Sequence, residues 1–239
     1  MFERVLTMKI CGLEKMSLVD YDGYVSATVF TGGCNFVCPF CHNSALVLNS
    51  QNLDEIPTET ILDYLNKRMG ILDAVCVSGG EPTLYKDLPL FIEKVKAMGY
   101  KVKLDTNGTN LEMIKTLKDN GLVDYFAMDI KNNFDNYGEI IGLPNFNTDK
   151  IRKTVEYFLS GTCNYEFRTT LINEYHKKDN IEKIANEIKG ANKYFLQKFK
   201  DTGNCIKSHL SAVDDKIALT FKDILVKTIP NTHLRGYDL

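Results

Sequence analysis

The sequence predicts an α/β protein built as a partial (β/α)6 TIM-like barrel, and three observations carry that expectation. Short apolar, β-branched runs alternate with segments whose apolar residues recur every three to four positions. About six such strand–helix units follow in a row, and alternation at this pitch implies parallel strands joined by right-handed crossovers. Six units are too few to close an eight-stranded barrel, so an open barrel ranks ahead of a flat doubly wound sheet. A chain of 239 residues suits a single domain over 1–239, with a core over about 20–200 and a C-terminal helix and tail over 201–239.

The elements follow in order. Residues 24–30 read as a strand that runs into a cysteine loop. A helix over 58–69 starts at Thr58, a candidate cap, and presents Ile61, Leu62 and Leu65 on its apolar face. Residues 74–78 form a short buried strand ending in Gly79-Gly80-Glu81-Pro82. A helix over 87–98 stops at Gly99, and 101–105 is the next strand. Asn110 caps a helix that stops at Gly121. A strand over 125–130 precedes a helix over 148–159. Strands over 165–171 and 193–199 flank a helix over 180–188. One more helix covers 214–227, and 231–239 reads as an irregular tail.

Composition narrows the function classes. The apolar fraction of 44% and charged fraction of 25% are ordinary for a globular protein. A net charge of −2 without a basic run points away from nucleic acid and anionic membranes. The first ten residues hold no apolar core of signal-peptide length, and no stretch reaches the roughly 18 apolar residues of a spanning helix. The expected location is the cytoplasm. Seven cysteines, an odd number, argue against a disulfide framework. Cys11, Cys76, Cys163 and Cys205 are expected as buried or partly buried free thiols.

The other three cysteines carry the chemistry. Cys34, Cys38 and Cys41 lie in Thr31-Gly-Gly-Cys-Asn-Phe-Val-Cys-Pro-Phe-Cys-His42. A structural zinc site wants four protein ligands, and a fully ligated iron–sulfur cube wants four cysteines. A cube held by three leaves one iron open to another ligand. The remaining polar motifs all fall at strand ends, where parallel α/β folds build one shared mouth. Gly79-Gly-Glu-Pro82 follows the second strand and Asp105-Thr-Asn-Gly108 the third; Asp129 and Lys131 close the fourth, and Arg168 and Gln197 lie on the fifth and sixth.

Each motif also has a plainer reading. Gly79-Gly80 serves either a tight turn or a close backbone approach to a ligand whose ammonium donates to Glu81. Asp105-Thr-Asn-Gly108 alone reads as a turn. Asp129, in an apolar strand, must be paired or bind a cation, with Lys131 and Arg168 as candidate salt-bridge partners. His42 is awkwardly placed to share the metal of Cys41. His176, His209 and His233 sit in polar segments and are expected to be exposed. A zinc-stabilised binding module using the three cysteines and one histidine is the alternative from another class.

The cysteine spacing with Gly-Gly-Glu-Pro after the next strand resembles the radical S-adenosylmethionine (SAM) superfamily. Longer strings sharpen the match: Gly-Gly-Cys-Asn-Phe-Val-Cys-Pro-Phe-Cys-His-Asn, Leu-Asp-Thr-Asn-Gly, Asp-Tyr-Phe-Ala-Met-Asp-Ile-Lys, Tyr-Glu-Phe-Arg-Thr-Thr and Tyr-Phe-Leu-Gln-Lys-Phe. Together, over roughly 13–199, they resemble activating enzymes of glycyl-radical proteins, most closely those serving anaerobic ribonucleoside-triphosphate reductase. The resemblance implies a [4Fe–4S] cluster on Cys34, Cys38 and Cys41, with SAM chelating the fourth iron. It implies that Gly79, Gly80 and Glu81 bind the methionine amino end and that Phe40 lies near the adenine. Asp105, Asn107, Asp129, Lys131 and Arg168 are further implied cofactor contacts. Gln197 stands near a position where such relatives have a histidine. Asp105, Thr106, Met128 and Asp129 match a monovalent-cation site (sodium or potassium).

No catalytic residue beyond cluster and cofactor is implied. The implied partners are a glycyl-radical enzyme and a flavodoxin or ferredoxin as electron donor, with no nucleic acid and no membrane. The interval between Cys41 and Gly79 has no room for a ferredoxin-like insert, which favours a one-cluster enzyme. The alternatives within the superfamily are an activase of another glycyl-radical enzyme, such as pyruvate formate-lyase, and a small-molecule enzyme such as a 7-carboxy-7-deazaguanine synthase. Residues 132–143 and 228–239, outside the regular units, are the expected docking candidates.

Overall fold

The computed structural model describes residues 6–238; Leu239, the end of the expected tail, lies outside them. The strands are β1 (Ile10–Ser17), β2 (Ser26–Thr31), β3 (Ala74–Gly79), β4 (Lys101–Thr106), β5 (Tyr125–Asp129), β6 (Tyr165–Leu171), β7 (Tyr194–Lys198) and β8 (Thr232–Arg235). The helices are α1 (Ser44–Leu48), α2 (Thr58–Asn66), α3 (Leu88–Ala97), α4 (Leu111–Asp119), α5 (Tyr137–Ile140), α6 (Asp149–Leu159), α7 (Lys178–Glu187) and α8 (Asp215–Leu225). The strands form one sheet in the order β1 to β8, open because β1 and β8 are both edges. This is the expected α/β class with an open, barrel-type sheet. Two strands go beyond the expected six. β1 pairs antiparallel with β2, and β8 pairs parallel with β7 inside the segment expected to be irregular.

Contacts divide the chain into two compact units. The first holds the described residues through Asn35, with Ala45–Thr106 and Asn110–Phe126. Here β2, β3 and β4 run parallel, with Thr31 opposite Gly79 and Val77 opposite Leu104. Their interiors are Ala27, Val29, Val75, Cys76, Val77, Val102 and Leu104, all fully buried, as expected for strands covered on both faces. Helix α2 buries Ile61, Leu62 and Leu65 as its spacing predicts. Its cap differs from the expectation: Pro57 holds the N-cap position and Thr58 is already helical, so the Thr58 hydroxyl caps nothing. Asn110 does cap α4, its side chain accepting from Met113 N.

The second unit comprises Phe36–Ser44, Asn107–Thr109 and the described residues from Ala127 onward. In β6, Tyr165 and Phe167 pack on Phe158 of α6, with ring centroids 5.2 and 6.1 Å away. Strand alternation then turns Glu166, Arg168 and Thr170 to the opposite face. Residues 132–143 are not a free loop. Asn132, Asn133, Phe134, Tyr137, Ile140 and Ile141 are all buried there, so most of that docking candidate is core. Among the described residues no helix is long and apolar enough to cross a membrane.

Candidate active site

In the first unit, the Gly-Gly-Glu motif is laced to the backbone that leads into the cysteine loop. Gly80 N donates to Thr31 O at 2.8 Å and Glu81 N to Gly33 O at 2.9 Å. A Cβ on Gly79 would lie 2.3 Å from Thr31 N, and one on Gly80 only 1.9 Å from Gly33 O. The close approach these glycines permit is therefore to the chain's own backbone beside Cys34. Glu81 is buried at 1% exposure. Its Oε1 accepts from Thr83 N and Oγ1 at 3.1 and 2.5 Å and from Thr106 Oγ1 at 2.8 Å. One carboxylate oxygen thereby ties the end of β3 to the end of β4. Asp105 accepts from Ser78 Oγ at 2.9 Å and faces Lys103 Nζ at 3.6 Å. Lys103, buried at 3% exposure, is a charged site residue that sequence reading passed over. Its signal was a lysine two positions before Asp105, hence on the same face of the strand.

In the second unit, Asp129 lies between two cations. Arg168 Nε donates to Oδ1 at 3.0 Å, and Lys131 Nζ to Oδ2 at 2.9 Å. Burial pushes the Asp129 carboxyl up, but Arg168 and Lys131 outweigh it and hold it at about 2. Burial opposes the charge on Lys131, yet Asp129 raises its pKa above the usual lysine range, with the Cys38 thiol contributing. The Lys131 ammonium stands 5.8 Å over the Phe40 ring. Burial raises the Cys41 thiol, and the Asn43 backbone and Lys131 pull it back. Cys38, Phe40 and Cys41 thus share one electrostatic neighbourhood with Asp129, Lys131 and Arg168. Lys131 and Arg168 bring two cations to the neighbourhood of Cys38 and Cys41.

The other expected site residues are less engaged. Asn107 Oδ1 accepts from Thr109 N and Oγ1 at 3.0 and 2.7 Å, the turn reading of its motif. Met128 is fully buried. Gln197 is half-buried on β7, opposite Thr170 and Arg235. His42 is exposed beside the cysteine loop; its Nε2 bonds Lys200 O at 2.7 Å and its ring stacks on Phe199 at 5.3 Å. Ser44 Oγ donates to Asn204 O, and Lys207 N to Pro39 O at 2.8 Å. Residues 200–207 therefore strap the cysteine loop, with Cys205 between two anchors. His209 and His233 are exposed as expected. His176 is the reverse, buried at 1% exposure. None of the four scattered cysteines is in a disulfide, Cys76 being buried and the others partly so.

Among the described residues no three His, Cys, Asp or Glu side chains are gathered to hold a single metal ion. The fit to a cluster rests instead on donor chemistry: three thiols at intervals of four and three residues, two of them beside the cationic cluster.

A model of the radical SAM superfamily matches residues 28–188. The chain belongs to that superfamily of enzymes, and membership implies a [4Fe–4S] cluster and SAM. Within it, the chain is similar to a candidate glycyl-radical enzyme activating enzyme of Methanocaldococcus jannaschii, 35% identical over 198 residues, covering 80% of each chain. Among solved structures, Streptococcus suis SuiB superposes with a TM-score of 0.67 at 15% identity over 86% of this chain. The chain spans about half of SuiB, 47% of its length. A domain of pyruvate-formate lyase-activating enzyme from Bacteroides vulgatus superposes with a TM-score of 0.57 at 17% identity, covering 69% of this chain and 99% of that one. At these identities the two structures support the fold alone.

Proposed function

We propose that this radical SAM enzyme is an activase that removes a hydrogen atom from a glycine Cα of a partner glycyl-radical enzyme. The partner proposed is anaerobic (class III) ribonucleoside-triphosphate reductase. The observation that carries the reading is the Asp129–Lys131–Arg168 cluster beside Cys38 and Cys41, together with the similarity to a candidate activating enzyme. Cys34, Cys38 and Cys41 hold three irons of the cluster. Lys131 and Arg168 receive the SAM carboxylate. Gly79, Gly80 and Glu81 receive its ammonium, Phe40 faces the adenine, and Asp105, Asn107 and Gln197 complete the cofactor contacts. When bound, the reduced cluster and SAM together supply a 5′-deoxyadenosyl radical; the protein supplies binding, orientation and exclusion of water.

A monovalent cation at Asp105, Thr106, Met128 and Asp129 belongs to the same reading. Flavodoxin or ferredoxin is the proposed electron donor, the cytoplasm the location, and one domain over 1–239 the working unit. The test is anaerobic mixing of the reconstituted, reduced protein with the reductase and SAM. A glycyl-radical doublet by electron paramagnetic resonance is the expected result. A doublet with pyruvate formate-lyase but none with the reductase overturns the partner. SAM cleavage with neither protein giving a doublet overturns the activase reading.

A further inference from the structure

Lys131 is held by its own backbone as well as by its ion pair. Tyr137 Oη donates to Asp129 O at 3.2 Å and accepts from Lys131 N at 3.4 Å. On the other side, His176 Nε2 lies 2.9 Å from Lys131 O. His176 comes from the turn after β6, far away in sequence. Its Nδ1 lies 3.0 Å from Ile172 N, and its own N–H donates to Ile172 O at 2.8 Å. A backbone N–H only donates and a carbonyl only accepts. Nδ1 also lies 3.3 Å from Ile172 O, but only the neutral form with the proton on Nε2 satisfies both the nearer Ile172 N–H and the Lys131 carbonyl. Asn132 Nδ2 adds a bond to Tyr175 O at 3.3 Å. Both ends of the Lys131 residue are thereby fastened by buried side chains.

We propose that His176 is a positioning residue for the cofactor's carboxylate site: its imidazole bridges Ile172 N–H to Lys131 C=O and so fixes where the Lys131 ammonium stands. The role of Lys131 in this statement rests on the function proposed above. The site asks for a side chain that is buried, uncharged, and able to accept at one end and donate at the other. Histidine meets all three demands, and burial holds its pKa down to about 4, keeping it neutral. Glutamine shares the donor and acceptor; leucine fills similar space with neither.

The experiment compares wild-type protein with His176→Gln and His176→Leu, each anaerobically reconstituted. SAM affinity is read from the change in the reduced cluster's paramagnetic resonance spectrum on titration. Leucine is expected to raise the dissociation constant about tenfold, and glutamine to stay within about threefold of wild type. Affinity unchanged in the leucine variant, with only its melting temperature lowered, makes His176 merely structural and overturns the proposal. Two measurements on cofactor-free protein keep the test independent of the functional reading, and the first also of whether the leucine variant folds. Nitrogen-15 resonance of wild-type His176 is expected to show the neutral Nε2–H tautomer, and the Nδ1–H tautomer contradicts the geometry. Amide exchange in His176→Gln is expected to leave Lys131 as protected as in wild type, within about threefold. In a His176→Leu protein that still folds, that protection is expected to fall tenfold or more, and protection unchanged there overturns the positioning role. Wild-type protein that binds no SAM while passing both tests refutes the function and leaves the positioning intact.

Discussion

Replacing Gly80 by alanine isolates a steric demand from a conformational one. Gly80 has an ordinary backbone conformation, unlike Gly79 with its φ of 116°, so alanine there is not strained by φ. The new Cβ would instead sit 1.9 Å from Gly33 O and 2.6 Å from Gly33 C, far inside contact distance. The end of β3 must then move by more than an ångström away from the cysteine loop. That movement breaks the bonds from Gly80 N to Thr31 O and from Glu81 N to Gly33 O. Two lost hydrogen bonds at about 1 kcal/mol each, with about 1–3 kcal/mol of overpacking, give a loss of about 3–5 kcal/mol. The control is Gly99→Ala, where φ is 90° and nothing lies within 4 Å; only about 1–2 kcal/mol of backbone strain is expected. Thermal unfolding should show Gly80→Ala melting roughly 10 °C below wild type, and iron retention should fall with it. A Gly80→Ala protein no less stable than Gly99→Ala would show that the Gly80–Gly33 contact imposes no steric cost.

Other outcomes follow from the same geometry. The buried His176 titrates near 4 against a usual 6.5, so the unfolded chain takes up the proton first as pH falls. Its contribution is intact above pH 6.5, is reduced by about 2 kcal/mol at pH 5, and levels off below about pH 4. His176→Gln should flatten this part of the stability profile, and an unchanged slope in urea titrations across pH 7 to 4 would contradict it. His42→Ala removes the bond to Lys200 O and the stack on Phe199. It should speed amide exchange in the 200–207 strap and accelerate loss of iron to chelator severalfold; wild-type rates for both would show that the strap does not depend on His42.

The alternation of apolar runs made β3, β4, β5 and β6 legible to within a residue, because strands buried on both faces must be apolar along their length. The same logic hid the two edges. β1 carries Gly12, Glu14 and Lys15 on a partly exposed strand, and β8 has four residues, Thr232-His-Leu-Arg235. Neither shows a clean period, and their pairing is decided by β2 and β7. In the candidate site, the local spacing of Cys34, Cys38 and Cys41 and the Gly79-Gly-Glu81 string stood out in the sequence, but the packing of Gly79 and Gly80 on the backbone of Thr31 and Gly33 did not, because it joins segments far apart in the chain. The pairing of Asp129 with Lys131 and Arg168 followed from the cost of a lone buried carboxylate. His176 was misread because Glu174, Tyr175, Lys177 and Lys178 make its neighbourhood polar. Its inward turn depends on Lys131, which no local pattern reports. Thr58 failed as a cap because Pro57, with its fixed φ, already takes that position.

The proposed reaction is hydrogen abstraction from a glycine of a partner protein. Its most direct measurement uses reductase with deuterium at the α-carbons of its glycines, mixed anaerobically with SAM and the reduced, reconstituted protein. Deuterium is expected in the 5′-deoxyadenosine formed, with no 5′-deoxyadenosine formed at all when Cys34, Cys38 or Cys41 is alanine. Turnover that survives loss of one of those cysteines, or 5′-deoxyadenosine that never carries the label, would contradict it.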